Sequence, residues 1–166
     1  VHDYGTKAEL IDLMVGSEGT LAIIVGIQLK LSPLPVATSS ILGSFASIEE
    51  ATAAATKAVD EGASACELLD KTFLSYAAAN ESADQKFKDR IEGAAAILLA
   101  EVESYSTDSA AAAAEQLAKA FRQAGATEVD VALTPEAEAE LWKLRHSASP
   151  ILAALGPNPA VAEAIQ

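Results

Sequence analysis

The chain has 166 residues, with 24 acids against 11 bases and a net charge of −13. That balance argues against nucleic acid or anionic membrane as a partner, and a single cysteine excludes an internal disulfide and any CxxC metal or redox pair. No signal peptide and no apolar run of 18 residues is present, so a soluble cytoplasmic protein is expected.

The length suits one domain, or one domain with a fragment of another. Alanine accounts for 37 residues; it favours helix but buries little area, so the core must come from the larger aliphatics. Residues 1–13 read as an irregular lead-in with a short helix near 7–14. Gly16 and Gly19 then frame Ser17 and Glu18. Glycine admits positive φ and carries no Cβ, so backbone amides in such a turn can approach a ligand closely, although most such tetrapeptides are plain turns. The apolar, β-branched run 21–31 predicts a buried strand. Pro33 and Pro35 stiffen the linker after it and block a continued ladder, which sets a domain boundary at 35: residues 1–35, then 36–155, then a tail at 156–166.

Beyond the prolines a pattern repeats. A strand at 38–46 leads to Ser47-Ile48-Glu49-Glu50, a capping box in which Ser47 serves the Glu50 amide and the Glu50 side chain reaches back. The helix ends at Gly62, and 63–69 form the next strand, with Cys66 as a small buried hydrophobe. The second copy runs from a strand at 94–104 through a helix to Gln123, stopped by Gly125, into a strand at 127–133. Strand–helix–strand twice over is the ferredoxin-like split βαβ plan. The expected architecture is an α+β domain, with a four-stranded antiparallel sheet and helices on one face. Between the copies, Asp70 N-caps a helix through 80, and 80–89 form a polar loop or its continuation.

Thr134 and Pro135 start the last helix as N-cap and N1. Leu141, Leu144 and Ala148 make its apolar stripe, flanked by Trp142, Arg145 and Ser149. Arg145 borders the buried face, where its guanidinium fork suits a carboxylate; equally, it could pair with Glu138 or another surface acid. Ser149 precedes Pro150 and could simply cap a new helix. His2 lies at a chain end and His146 on an exposed flank, with no HxH or HxxxH spacing for a metal. Glu101 and Glu103, alternating on a strand, do not form an acid–base pair.

The stretch from Leu13 to Ile24 resembles the VGSEGTLGII signature of FAD-linked oxidases and dehydrogenases of the vanillyl-alcohol oxidase superfamily. Its members include D-lactate dehydrogenase, the glycolate oxidase flavin subunit and D-2-hydroxyglutarate dehydrogenase. Ala22 stands where glycine is usual, and Val25 where threonine is common. Looser likeness resumes at Cys66-Glu67-Leu68-Leu69-Asp70 and at Leu141-Trp142-Lys143-Leu144-Arg145. The resemblance implies the end of an FAD domain followed by most of a substrate-side cap domain, cut from a longer enzyme that oxidises a small 2-hydroxy acid by hydride transfer to flavin. It implies FAD contacts at Gly16, Ser17, Glu18, Gly19, Ile23 and Ile24, and substrate-carboxylate contacts at Arg145 and Ser149, with no catalytic or metal residue within the chain. The rest of the FAD domain is then the structural partner, homodimerisation is left open, and the chain alone should retain little FAD. The competing expectation is a flavin-free ferredoxin-like regulatory or dimerisation module that binds a small acid.

Overall fold

The computed structural model describes residues 10–79 and 85–147. The chain divides into two compact units, Val1–Leu34 and Pro35–Gln166. In the first, helix α1 (Leu10–Met14) leads into a turn and then a segment without regular secondary structure. The strand expected at 21–31 does not form: no described residue pairs with this segment, and Ile23 and Val25 are 90% and 97% exposed. Its alternating Ile23, Val25, Ile27, Leu29 and Leu31 would supply one apolar face. A strand, however, is defined by a neighbour that accepts its hydrogen bonds, and none is available among the described residues.

The second unit carries the fold. Strands β1 (Ala37–Phe45), β2 (Ala65–Asp70), β3 (Ala96–Ser104) and β4 (Glu128–Ala132) form one antiparallel sheet in the order β2-β3-β1-β4. Helix α2 (Ile48–Asp60) connects β1 to β2, and α5 (Thr107–Gln123) connects β3 to β4. This is the expected split βαβ topology. Helices α3 (Lys71–Ala79), α4 (Gln85–Ile91) and α6 (Pro135–His146) complete the unit.

Local chemistry sets the helix ends. Ser47, Ser106 and Thr134 each accept a hydrogen bond from the amide three residues on, as N-caps do, and Asp70 Oδ1 accepts from the Phe73 amide at 2.9 Å. Both crossover helices close alike. Gly62 and Gly125 take φ of +85° and +103°, while the amides of Ala63 and Ala126 reach back to the carbonyls of Ala58 and Phe121 at 2.9 and 3.0 Å. The capping box at Ser47 is only half made. The Glu50 carboxylate lies against Gly125 instead of returning to the Ser47 amide, and Oε2 is buried without a hydrogen-bond partner among the described residues.

One face of the sheet packs as expected. Ile41, Phe45, Leu98, Ala100 and Val102 meet α2 and α5 through Ala51, Ala54, Ala58, Ala114, Leu117 and Phe121. The helical alanines allow close approach, so the bulk comes from Phe45 and Phe121, edge to face with centroids 5.9 Å apart. Cys66 packs at the border of this core, and burial, followed by the charge of Glu67, pushes its thiol up to about 11.

The expectation of helices on one face only is corrected. Leu42, Leu69, Ile97, Leu99 and Ala132 form a second apolar surface covered by Leu74, Ala77, Ile91, Leu141 and Leu144 of α3, α4 and α6. Because strand side chains alternate, a run such as Ala96–Ala100 that is apolar at every position must be covered on both sides.

Candidate functional site

The second sheet face is apolar at one end and polar at the other. Register defines its rows: Glu67 beside Leu99 and Leu42, Ala65 beside Glu101 and Ser40, and Glu103 beside Thr38. Alternation directs Thr38, Ser40, Glu67, Glu101 and Glu103 to this side. Helix α6, started by Thr134 and Pro135 directly after β4, is carried over these rows. Leu141 and Leu144 point into the apolar half and are buried.

Three side chains of α6 fasten it to the polar half. Thr38 Oγ1 donates to Glu138 Oε2 at 2.7 Å, Trp142 Nε1 donates to Ser40 Oγ at 2.9 Å, and Arg145 Nε pairs with Glu67 Oε2 at 3.0 Å. Positions 138, 142 and 145 follow four- and three-residue spacing, so one flank of the helix carries all three. Arg145 and Glu67 are 24% and 22% exposed. That is too buried for an ordinary surface pair, whose charges stay in water. Glu138, considered from sequence as a partner for Arg145, is taken by Thr38 instead.

The charge on this face is predominantly negative. Glu101 is half-buried and its carboxyl is pushed above the ordinary range, first by burial, then by the neighbouring Glu138 and Glu103, against a smaller opposing hydrogen bond from Ser64. Arg145 supplies a positive charge, its closest approach to an acid is Nε to Glu67, and among the described residues Nη1 and Nη2 donate no hydrogen bond. A guanidinium held by its Nε with both terminal nitrogens available can receive both oxygens of a carboxylate. His146 is exposed, its ring 6.4 Å from that of Trp142. Elsewhere on this side Arg90 of α4 pairs with Asp130 of β4. No group of three or more His, Cys, Asp or Glu among the described residues could hold a metal ion. No described helix is long and apolar enough to cross a membrane.

Sequence reasoning found Arg145 and Trp142 but missed Glu67 and Ser40 as their partners, and Thr38 as the partner of Glu138. One signal was present: Ser40, in the polar run Thr38-Ser39-Ser40 at the start of a strand that is otherwise mostly apolar, calls for a polar partner once buried. Ser149 lies outside the described residues.

In the first unit, Gly16, Glu18 and Gly19 take φ of +77°, +47° and +78°. The turn is closed by Ser17 N to Met14 O at 3.2 Å and by the Thr20 amide and hydroxyl, both donating to Ser17 O. A Cβ at Gly16 or Gly19 would meet nothing within 4 Å, and the amides of Glu18 and Gly19 donate to no backbone carbonyl among the described residues. Such successive amides suit an anionic group. Ile23 and Ile24 are exposed.

A family model described as FAD linked oxidases, C-terminal domain, matches residues 34–164. The chain is 29% identical over 140 residues to a D-lactate dehydrogenase of Anaerostipes hadrus, covering 82% of this chain and 29% of that protein. It is 29% identical over 152 residues to glycolate oxidase subunit GlcD of Escherichia coli K12, covering 90% of this chain and 29% of that protein. The chain thus spans about three-tenths of the length of the curated relatives it matches. By its matched sequence, four-stranded sheet and covering helices, this chain belongs to the FAD linked oxidase C-terminal domain family.

Proposed function

We propose that this chain supplies the substrate-side cap of an FAD-dependent oxidoreductase acting on a small 2-hydroxy acid of the D-lactate, glycolate or D-2-hydroxyglutarate type, and that Arg145 anchors the substrate carboxylate. One observation supports this above others: a half-buried guanidinium on a polar sheet face, held by Nε, with Nη1 and Nη2 without partners among the described residues. Membership of the family supports the flavin, and favours this function over a flavin-free regulatory module. Ser149, four residues on, is assigned a supporting hydrogen bond to the same carboxylate.

FAD, when bound, takes up the hydride released from the α-carbon of the substrate. The chain orients the substrate and compensates its charge. Amides of the Gly16-Ser17-Glu18-Gly19 turn, left-handed at three of four residues, fit a phosphate or ribityl oxygen of the cofactor, and the backbone at Ile23 and Ile24 would line it. Trp142, fixed by Ser40, lies one turn before Arg145 on the same helix flank.

The test is Arg145→Ala in the whole protein that carries this chain, assayed with D-lactate and glycolate and a dye acceptor. Loss of a charge-assisted, two-oxygen contact should raise KM by roughly 10- to 100-fold, with Arg145→Lys falling between. An unchanged KM for both acids would overturn the assignment.

A further inference from the structure

The Arg145–Glu67 contact admits two interpretations: Glu67 competes with an incoming carboxylate for the guanidinium, or it sets the guanidinium in place to receive one. Geometry separates them. Glu67 engages Nε, at the side of the guanidinium, and leaves the end that carries Nη1 and Nη2. An incoming carboxylate can use the Nη1–Nη2 edge, whose two parallel N–H groups match its two oxygens, without displacing that contact.

The acids around Arg145 are also informative. Glu101 and Glu103 point to the same side of the sheet, and Glu138 lies on the same helix flank, yet only Glu67 contacts the guanidinium. Glu67 is the best anchored of these for the purpose. Its Cα sits in the β2–β3 ladder opposite Leu99, with Leu69 buried two residues on, so its carboxylate projects from a fixed backbone. An arginine side chain has several rotatable bonds and loses rotamer freedom when ordered. Ordering it before the ligand arrives removes that cost from binding.

We propose that Glu67 is a positioning residue: its carboxylate holds Arg145 through Nε so that Nη1 and Nη2 face the substrate carboxylate. This rests on the assignment of Arg145 as the carboxylate anchor. Glu67 itself touches no substrate, and its effect passes through the arginine.

Two substitutions isolate the effect. Glu67→Gln and Glu67→Met remove the same charge from side chains of similar length, but only glutamine keeps an oxygen that can stand beside Nε. The whole flavin-loaded protein is titrated calorimetrically with oxalate, a small carboxylate with no α-hydrogen to lose, alongside KM and kcat for D-lactate. Oxalate should bind E67M about tenfold more weakly than E67Q, the order expected for loss of one polar contact to a charged group. KM should follow oxalate affinity while kcat changes less, and E67M should melt within a few degrees of E67Q. Glu67→Ala gives the same comparison should E67M not fold.

Equal affinity of E67Q and E67M, with Arg145→Ala still weakening binding, would overturn the positioning role and leave the anchor standing. Tighter binding by E67M than by E67Q would identify Glu67 as a competitor and overturn it likewise. Oxalate binding and KM unaffected by Arg145→Ala would overturn the anchor itself.

Discussion

Gly43→Ala tests how the sheet that carries the polar face is packed from behind. Gly43 lies on β1 between Leu42 and Ser44, facing α5. A Cβ there would stand 2.7 Å from Phe121 Cδ2 and 2.9 Å from Phe45 Cε2. Carbon pairs rest at roughly 3.5–4.0 Å, so both rings must retreat by about 0.6 Å or more. Each ring is fully buried and each packs against the other, so neither can move toward solvent. Overpacking of this kind costs about 1–3 kcal/mol. Replacing glycine by alanine returns about 0.4–1 kcal/mol by narrowing the unfolded ensemble. The net expectation is a loss of about 1–2 kcal/mol, or a melting temperature lower by roughly 4–8 °C for a unit of this size. Thermal unfolding followed by far-UV circular dichroism measures it directly. The companion variant G43A/F121L removes the ring edge that the new methyl meets, so its cost should fall about 1 kcal/mol short of the sum of the single costs. A melting temperature for Gly43→Ala at or above that of the unaltered chain, or strict additivity in the cycle, would refute the packing argument.

Glu101→Gln should stabilise the chain at pH 7. The folded-state carboxyl is raised above its ordinary value of 4.5, so the folded state holds its proton more tightly than the unfolded state. Stability from this group is therefore complete below the ordinary range and lost as pH rises through the raised value. The gain from Glu101→Gln should accordingly be present at pH 7 and vanish near pH 4; an equal gain at both would contradict the linkage. Cys66, with its thiol pushed up to about 11, should react with a disulfide reagent at pH 8 roughly a hundredfold more slowly in the folded chain than after denaturation. Comparable rates in the two states would show that the thiol is not shielded.

Much of the fold was legible because its signals are local. Ser47 and Thr134 announce helix starts, and Gly62 and Gly125 announce stops, each through bonds made within a few residues. The candidate site was legible only in part. Arg145 could be placed at the edge of a buried stripe from helical spacing alone, but its partner could not be named. Whether the guanidinium met Glu138 on its own helix or Glu67 on β2 depended on how α6 crosses the sheet. Periodicity carries no information about that crossing. Residues 21–31 failed for a related reason: their composition is that of a strand, but a ladder needs a second strand.

By itself, the sequence determined the two strand–helix–strand copies, their boundaries, and a signature turn at Gly16–Gly19 that resembles flavin-linked oxidases. Propensity, capping and alternation act over a few residues, and these features depend on nothing further away. Only the tertiary structure decided that helices cover both faces of the sheet, that Trp142 rests on Ser40, and that Glu67 takes Arg145 by its Nε. Those outcomes depend on strand order and register, which bring distant residues into one row, and register is fixed by the packed core as a whole.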